Sequence, residues 1–217
     1  MSLKKYQLIL GFAFLFAIAI SMVCASVPAA AAVEKNEANV TPLEEPAVAI
    51  VGKNYDGNGN SLNLGLLQLG DIVAVAGVKM GDSLLPGTFS HTAIYVGGGI
   101  IAEAMPEGVR QSYTSIIHGA SGARIERVST TSAVKQAAVN HNNAQVGKPY
   151  DWIWLTYYGN KNAYSSSWYC SELNWAGYYL NGKDIDKNPG WSWTYGYNCA
   201  PQEIVDDADT YFVAESW

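Results

Sequence analysis

A thiol attacks an acyl carbon only as its thiolate, so a catalytic cysteine needs a nearby positive field and a base. Outside the apolar N-terminal stretch the sequence offers two cysteines, Cys170 and Cys199, and it has three histidines, His91, His118 and His141. Cys170 follows Ser165-Ser166-Ser167-Trp168-Tyr169, where the serines can cap a helix running through Leu173, Trp175, Ala176 and Tyr179 to Gly182. That places the sulfur in the first turn or so, where unpaired backbone N–H groups and the macrodipole favour an anion and can supply part of an oxyanion hole. The bland alternative is a buried small hydrophobe, the usual fate of a free cysteine. Cys199 stands before Pro201 in an aromatic-rich loop with nothing basic beside it. Among the histidines, His141 belongs to a solvated helix face and His118 to a loop before Gly119. His91 opens a β segment after Ser90.

The turn fixes the geometry around His91. Thr92-Ala93-Ile94-Tyr95-Val96 and Ile100-Ile101-Ala102-Glu103-Ala104 flank Gly97-Gly98-Gly99, which predicts a hairpin. Centred on Gly98, it pairs residues whose numbers sum to 196, so Ala93 faces Glu103 and His91 faces Met105. Glu103 is then a diagonal neighbour of His91 on the same face, provided no bulge intervenes. A carboxylate there can orient the ring and stabilise an imidazolium. The alternative for Glu103 is a solvated charge on an edge strand.

The elements that must position these groups read as short strands and two or three helices. Asp71–Val75 and Arg124–Val128 are further strand segments. Thr130 or Thr131 can cap a helix through Ala133, Val134, Ala137 and Ala138 to a stop at Gly147. Pro201 begins a short last helix, and Tyr211–Ala214 is a closing strand. The fold class is α+β, a small antiparallel sheet or barrel packed against the helix that carries Cys170.

The 217 residues are 49% hydrophobic and 15% charged, enough to bury a full core. Lys4 and Lys5, the apolar run Leu8–Ile20 and the small residues Ala29–Ala32 follow the order of a secretory leader. The run is shorter than the roughly 20 apolar residues that span a bilayer, so cleavage is favoured over anchoring. The expected organisation is a leader over 1–32, a linker over 33–60 and one domain over 61–217, in an extracytoplasmic setting. Any membrane contact would come through an uncleaved leader. Losing the leader takes the net charge from −6 to −8, and an acidic chain without a basic run argues against nucleic acid as partner. Asn39-Val40-Thr41 is a glycosylation sequon, and Cys24 lies in the leader behind a poor lipidation prefix. Asn54–Asn60 lacks the closing Glu of a calcium loop and reads as a polar turn. No metal site or cofactor is expected, since the three scattered histidines lack ligand spacing.

Leu69-Gly70-Asp71-Ile72-Val73, Ser90-His91-Thr92-Ala93-Ile94-Tyr95-Val96-Gly97 with Ile101-Ala102-Glu103-Ala104, Gly147-Lys148-Pro149-Tyr150-Asp151, and Tyr169-Cys170-Ser171-Glu172-Leu173 occur in that order. Together they resemble the circularly permuted NlpC-type papain-fold hydrolases, the YiiX-like group, related to lecithin retinol acyltransferase-like proteins. The resemblance covers about residues 62–215. It implies a permuted papain-like fold, a Cys170–His91–Glu103 triad, and Tyr169 with the Cys170 amide near the oxyanion. Tyr95 and Ser90 join Tyr169 as expected oxyanion or substrate-binding residues. The implied substrate is a small peptide or isopeptide of cell-envelope type. The chain departs from the group in its long loop 76–89, in Thr92-Ala93 after the histidine, and in the aromatic tracts 152–158 and 191–197. Two other functions fit the residues. One is lipid ester hydrolysis or acyl transfer, with Leu84, Leu85 and Phe89 as its local support. The other is a silent glycan- or peptide-binding module in which Cys170 and Cys199 form a disulfide.

Overall fold

The computed structural model describes residues 55–78, 85–155 and 159–217. The leader, the sequon, Leu84 and most of the linker therefore lie outside the described residues. Strands alternate with turns from Ile72 onward: β1 (Ile72–Ala76), β2 (His91–Gly97), β3 (Ile100–Met105), β4 (Gly108–Tyr113), β5 (Gly122–Val128) and β6 (Thr210–Ser216). They form one antiparallel sheet in the order β4-β3-β2-β1-β5-β6. The helices are α1 (Ser132–Ala144), α2 (Cys170–Tyr179) and α3 (Pro201–Val205). The arrangement is α+β, with a sheet whose edges are β4 and β6.

Alternation along the strands sends side chains to two separate cores. On one face Ile72, Ile94, Ala102 and Ala104 pack with Ala138 and Val139 of α1 and Leu173, Ala176 and Tyr178 of α2. On the other, Val73, Val75, Ala93, Ile101 and Ile125 are covered by Tyr55, Leu62 and the 3₁₀ turn Thr114–Gly119. Tyr55 to Asn60, grouped by composition with the linker, thus lie along the domain. Tyr55 is buried, Gly57 N–H donates to Gly119 O at 2.8 Å, and the Asn60 amide donates to Ile117 O and Ala120 O.

The β2–β3 register follows the turn arithmetic. Ile94 pairs with Ala102 and Tyr95 with Ile101, both summing to 196. At the turn itself Gly97 pairs with Ile100, a sum of 197, so the turn is the two-residue Gly98-Gly99. A bulge between Tyr95 and Gly97, absent from the expected hairpin, brings the pairing to 196 and Glu103 onto the face of His91. Gly97, Gly98 and Gly99 all have positive φ (96°, 60° and 76°), a run that residues with a Cβ would adopt only at a cost. Thr131 caps α1 by accepting from Val134 N–H, and α1 ends at Ala144, one turn before Gly147. Strand β4 was not foreseen. Its residues Arg110 and Ser112 turn towards a buried carboxylate rather than an apolar core, so the strand lacks an apolar stripe.

Two contacts lock α2 to the sheet. Tyr178 donates from its hydroxyl to Gly70 O, ahead of β1, and Asn174 donates through Nδ2 to Thr92 Oγ1 at 3.0 Å. Asn174 is one turn beyond Cys170 and Thr92 adjoins His91. The bond therefore registers the helix start against the strand start.

Candidate active site

Cys170 is the first residue of α2 and is 5% exposed. Tyr169 is the N-cap, with extended backbone and no side-chain cap bond. The serines expected to cap the helix stop short of it: Ser165 Oγ accepts from Ser167 N–H at 3.3 Å instead. Glu172 occupies the third helical position and its carboxyl receives the Tyr169 amide, the half of a capping box that needs no cap side chain. The Cys170 sulfur thus sits closer to the helix end than expected, where the macrodipole acts most strongly.

His91 is 4% exposed and its ring hydrogen-bonds the Cys170 sulfur. Its Nε2 meets Glu103 Oε2 at 2.8 Å, which leaves Nδ1 for the sulfur. Glu103 is fully buried and takes three further bonds. Tyr55 Oη donates to Oε2 at 2.7 Å, and Arg110 Nε and Ser112 Oγ donate to Oε1 at 3.0 and 2.7 Å. The Tyr55 ring also lies edge-on to His91 at 5.7 Å.

These contacts set the charges. Burial opposes ionisation of Glu103, but the bonds from His91 and Ser112 and the charges of His91 and Arg110 overcome it and hold the carboxyl at about 2. Burial likewise works against a charged His91, yet the thiolate and then Glu103 raise it to about 9. For Cys170, burial is outweighed by the His91 charge and hydrogen bond, helped by the Thr92 amide and Ser171, so the thiol lies below its ordinary value. The Ser171 hydroxyl is 4.0 Å from the sulfur. These directions favour a thiolate–imidazolium pair backed by a carboxylate, an arrangement that can attack an acyl carbon and then protonate a leaving group.

The other expected residues are placed unequally. Ser90 adjoins His91, and its amide donates to Val75 O at 3.0 Å, which anchors the start of β2. Tyr169 is buried beside Cys170, but its hydroxyl accepts the Cys199 amide at 3.0 Å and so ties down the Cys199 loop. Tyr95 lies four residues along β2, about 13 Å from His91 at the strand rise, and its hydroxyl accepts Gly99 N–H at 3.2 Å in the hairpin turn. Both cysteines are free, so the Cys170–Cys199 disulfide of the binding-module alternative is not formed. Burial pushes the Cys199 thiol well up. Phe89, part of the support for ester chemistry, is buried with Ala74 and Val205, and its ring lies 5.8 Å from that of Trp217.

Sequence reasoning missed Tyr55, Arg110, Ser112 and Thr92, and it passed over Tyr150. Pro149 and Tyr150 run beside Trp168, with Trp168 N–H on Pro149 O and Asp151 N–H on Trp168 O, both at 3.1 Å. Burial, and next the charge of Cys170, keep the Tyr150 phenol protonated. Only Arg110 left a local signal: it stands opposite Glu103 once β4 is recognised.

Residues 67–214 match the model of a family described as permuted papain-like amidase enzymes, YaeF/YiiX, C92 family. Among solved structures, the chain is similar to the metalloprotein YiiX from Escherichia coli O157:H7. The TM-score is 0.54 and the identity 20%, over 70% of this chain and 99% of that one, a likeness of fold. No curated protein matches. Among the described residues here, no group of three or more His, Cys, Asp or Glu side chains is disposed to hold a metal ion.

Proposed function

The chain belongs to this permuted papain-like amidase family and is a cysteine hydrolase, and we propose that it is exported and cleaves an amide bond in a cell-envelope-type peptide. The single observation that carries the reading is the His91 ring hydrogen-bonded to the Cys170 sulfur with Glu103 2.8 Å behind it. In the proposed cycle the Cys170 thiolate attacks the acyl carbon while the Cys170 amide, at the open end of α2, faces the developing oxyanion. His91 gives its proton to the leaving amine, then takes one from water, which releases the acyl-enzyme.

Export rests on the leader-like order of charged, apolar and small residues over 1–32. Among the described residues no helix is long and apolar enough to cross a membrane. A peptide or isopeptide substrate fits the aromatic rim beside the helix. Trp152, Ile153, Trp191, Trp193 and Tyr197 are exposed. Asn198, just after the second tract, donates through Nδ2 to Trp154 O of the first at 3.4 Å, and Trp154 packs on Tyr169. Such rings can seat an extended peptide or a sugar stem.

The test is alkylation of the folded protein at neutral pH followed by mass spectrometry. Cys170 should label fast and Cys199 not at all. Cys170→Ala and His91→Ala should each abolish hydrolysis of peptide amides while the fold persists. Full activity in either variant ends the proposal, and a preference for lipid esters over amides in the same panel moves the enzyme to the other substrate class.

A further inference from the structure

One buried acid beside the nucleophile has no part in the triad. Glu172 is fully buried in the first turn of α2. Its Oε1 accepts from Asn162 N–H at 2.7 Å and the carboxyl also receives the Tyr169 amide, while Oε2 has no partner within hydrogen-bond geometry among the described residues. The titratable groups facing it are Asp151 and Tyr150 from the loop before α2, Tyr169 at the cap, and Cys170 itself. Each of these is an acid, so none supplies a counter-charge. A buried carboxylate with one bare oxygen and acidic neighbours is disfavoured, and protonation is the ordinary way out.

We infer that Glu172 is a positioning residue held as a neutral carboxylic acid, pinning the Asn162 loop to the first turn of α2 while leaving the Cys170 sulfur as the sole anion of that turn. An ionised Glu172 would set a second negative charge against the thiolate and oppose the His91 field that creates it. The helix end gains a cap from the acid without that penalty. Burial first, and then the charges of Asp151 and Cys170, raise the carboxyl to about 8, so the device should hold through neutral pH and lapse above it.

The inference rests on the thiolate reading of Cys170, and its test separates the two. Infrared difference spectra of the full chain, wild type against Glu172→Gln, should show the carbonyl stretch of a protonated carboxyl at pH 7, disappearing as pH rises through about 8. Absence of that band at pH 7, or its loss between pH 4 and 5 as for an ordinary carboxyl, overturns the inference. The second readout is iodoacetamide alkylation of Cys170 against pH. The ratio of variant to wild-type rate should be constant below pH 7 and change above pH 8, where only the wild type acquires the extra charge. A ratio constant across the whole range makes Glu172 a mere cap and overturns the inference. Slow alkylation of wild-type Cys170 with the infrared band intact would instead count against the thiolate reading alone.

Discussion

Replacing Glu103 by Gln keeps the shape of the side chain and removes its charge, at a position where four donors converge on a fully buried carboxylate. The drop of the carboxyl from 4.5 to about 2 corresponds to roughly 3 kcal/mol of preference for the ionised form in the folded protein. The amide cannot recover it. Its NH₂ must face either the Tyr55 and His91 side or the Arg110 and Ser112 side, and a donor then meets donors. The pH dependence has a definite sign. Between about 2 and 4.5 the unfolded chain binds the Glu103 proton and the folded one does not, so this stabilisation is complete above 4.5 and is lost as pH falls through 2. Urea unfolding should therefore find Glu103→Gln less stable by about 3 kcal/mol at pH 7, with the gap closing towards pH 2. Hydrolysis at pH 7 should fall on the order of 10²- to 10⁴-fold, as expected when a general base loses its orienting carboxylate. An equal gap at both pH values, or full activity, refutes the argument that an ionised Glu103 supports His91.

Three other perturbations probe neighbouring links. In Cys170→Ala the anion that does most to raise His91 is gone, so the ring should titrate well below the value of about 9 set by the pair; an unchanged NMR titration contradicts the ion pair. Tyr55→Phe removes the 2.7 Å donor to Glu103 but keeps the ring on His91. It should cost about 1.5–3 kcal/mol in urea unfolding, whereas a cost near zero would mean the bond is idle. Gly108 has φ +120°, and an added Cβ would meet Lys148 O at 2.7 Å. Gly108→Ala should therefore lose roughly 1–3 kcal/mol and speed proteolysis in the 147–151 segment, and a neutral substitution there would show that the turn tolerates a side chain.

Local chemistry was enough to single out Cys170, His91 and Glu103 as candidates, and the family resemblance joined them as a triad. Helix capping signals pointed to Cys170 near a helix start, and the glycine turn located the hairpin whose bulge puts His91 and Glu103 on one face. Both are short-range properties, governed by periods of 3.6 and 2 residues and by the few turns that glycine permits. Two details resisted that reasoning. The helix begins at Cys170 without a serine cap, because Glu172 reaches back to the Tyr169 amide. Strand β4 is not apolar on its inner face, because that face solvates Glu103. The contact of His91 with Cys170 joins residues 79 positions apart in the sequence, and Tyr55 reaches Glu103 across 48. No periodicity encodes such distances. They exist because α2 is driven onto the sheet by burial of Leu173, Ala176 and Tyr178 and registered there by the bond from Asn174 to Thr92. Residue types and spacing determined which groups could react; only the packing of helix on sheet decided that they meet, and that burial and neighbours push the Glu103 and Glu172 carboxyls in opposite directions.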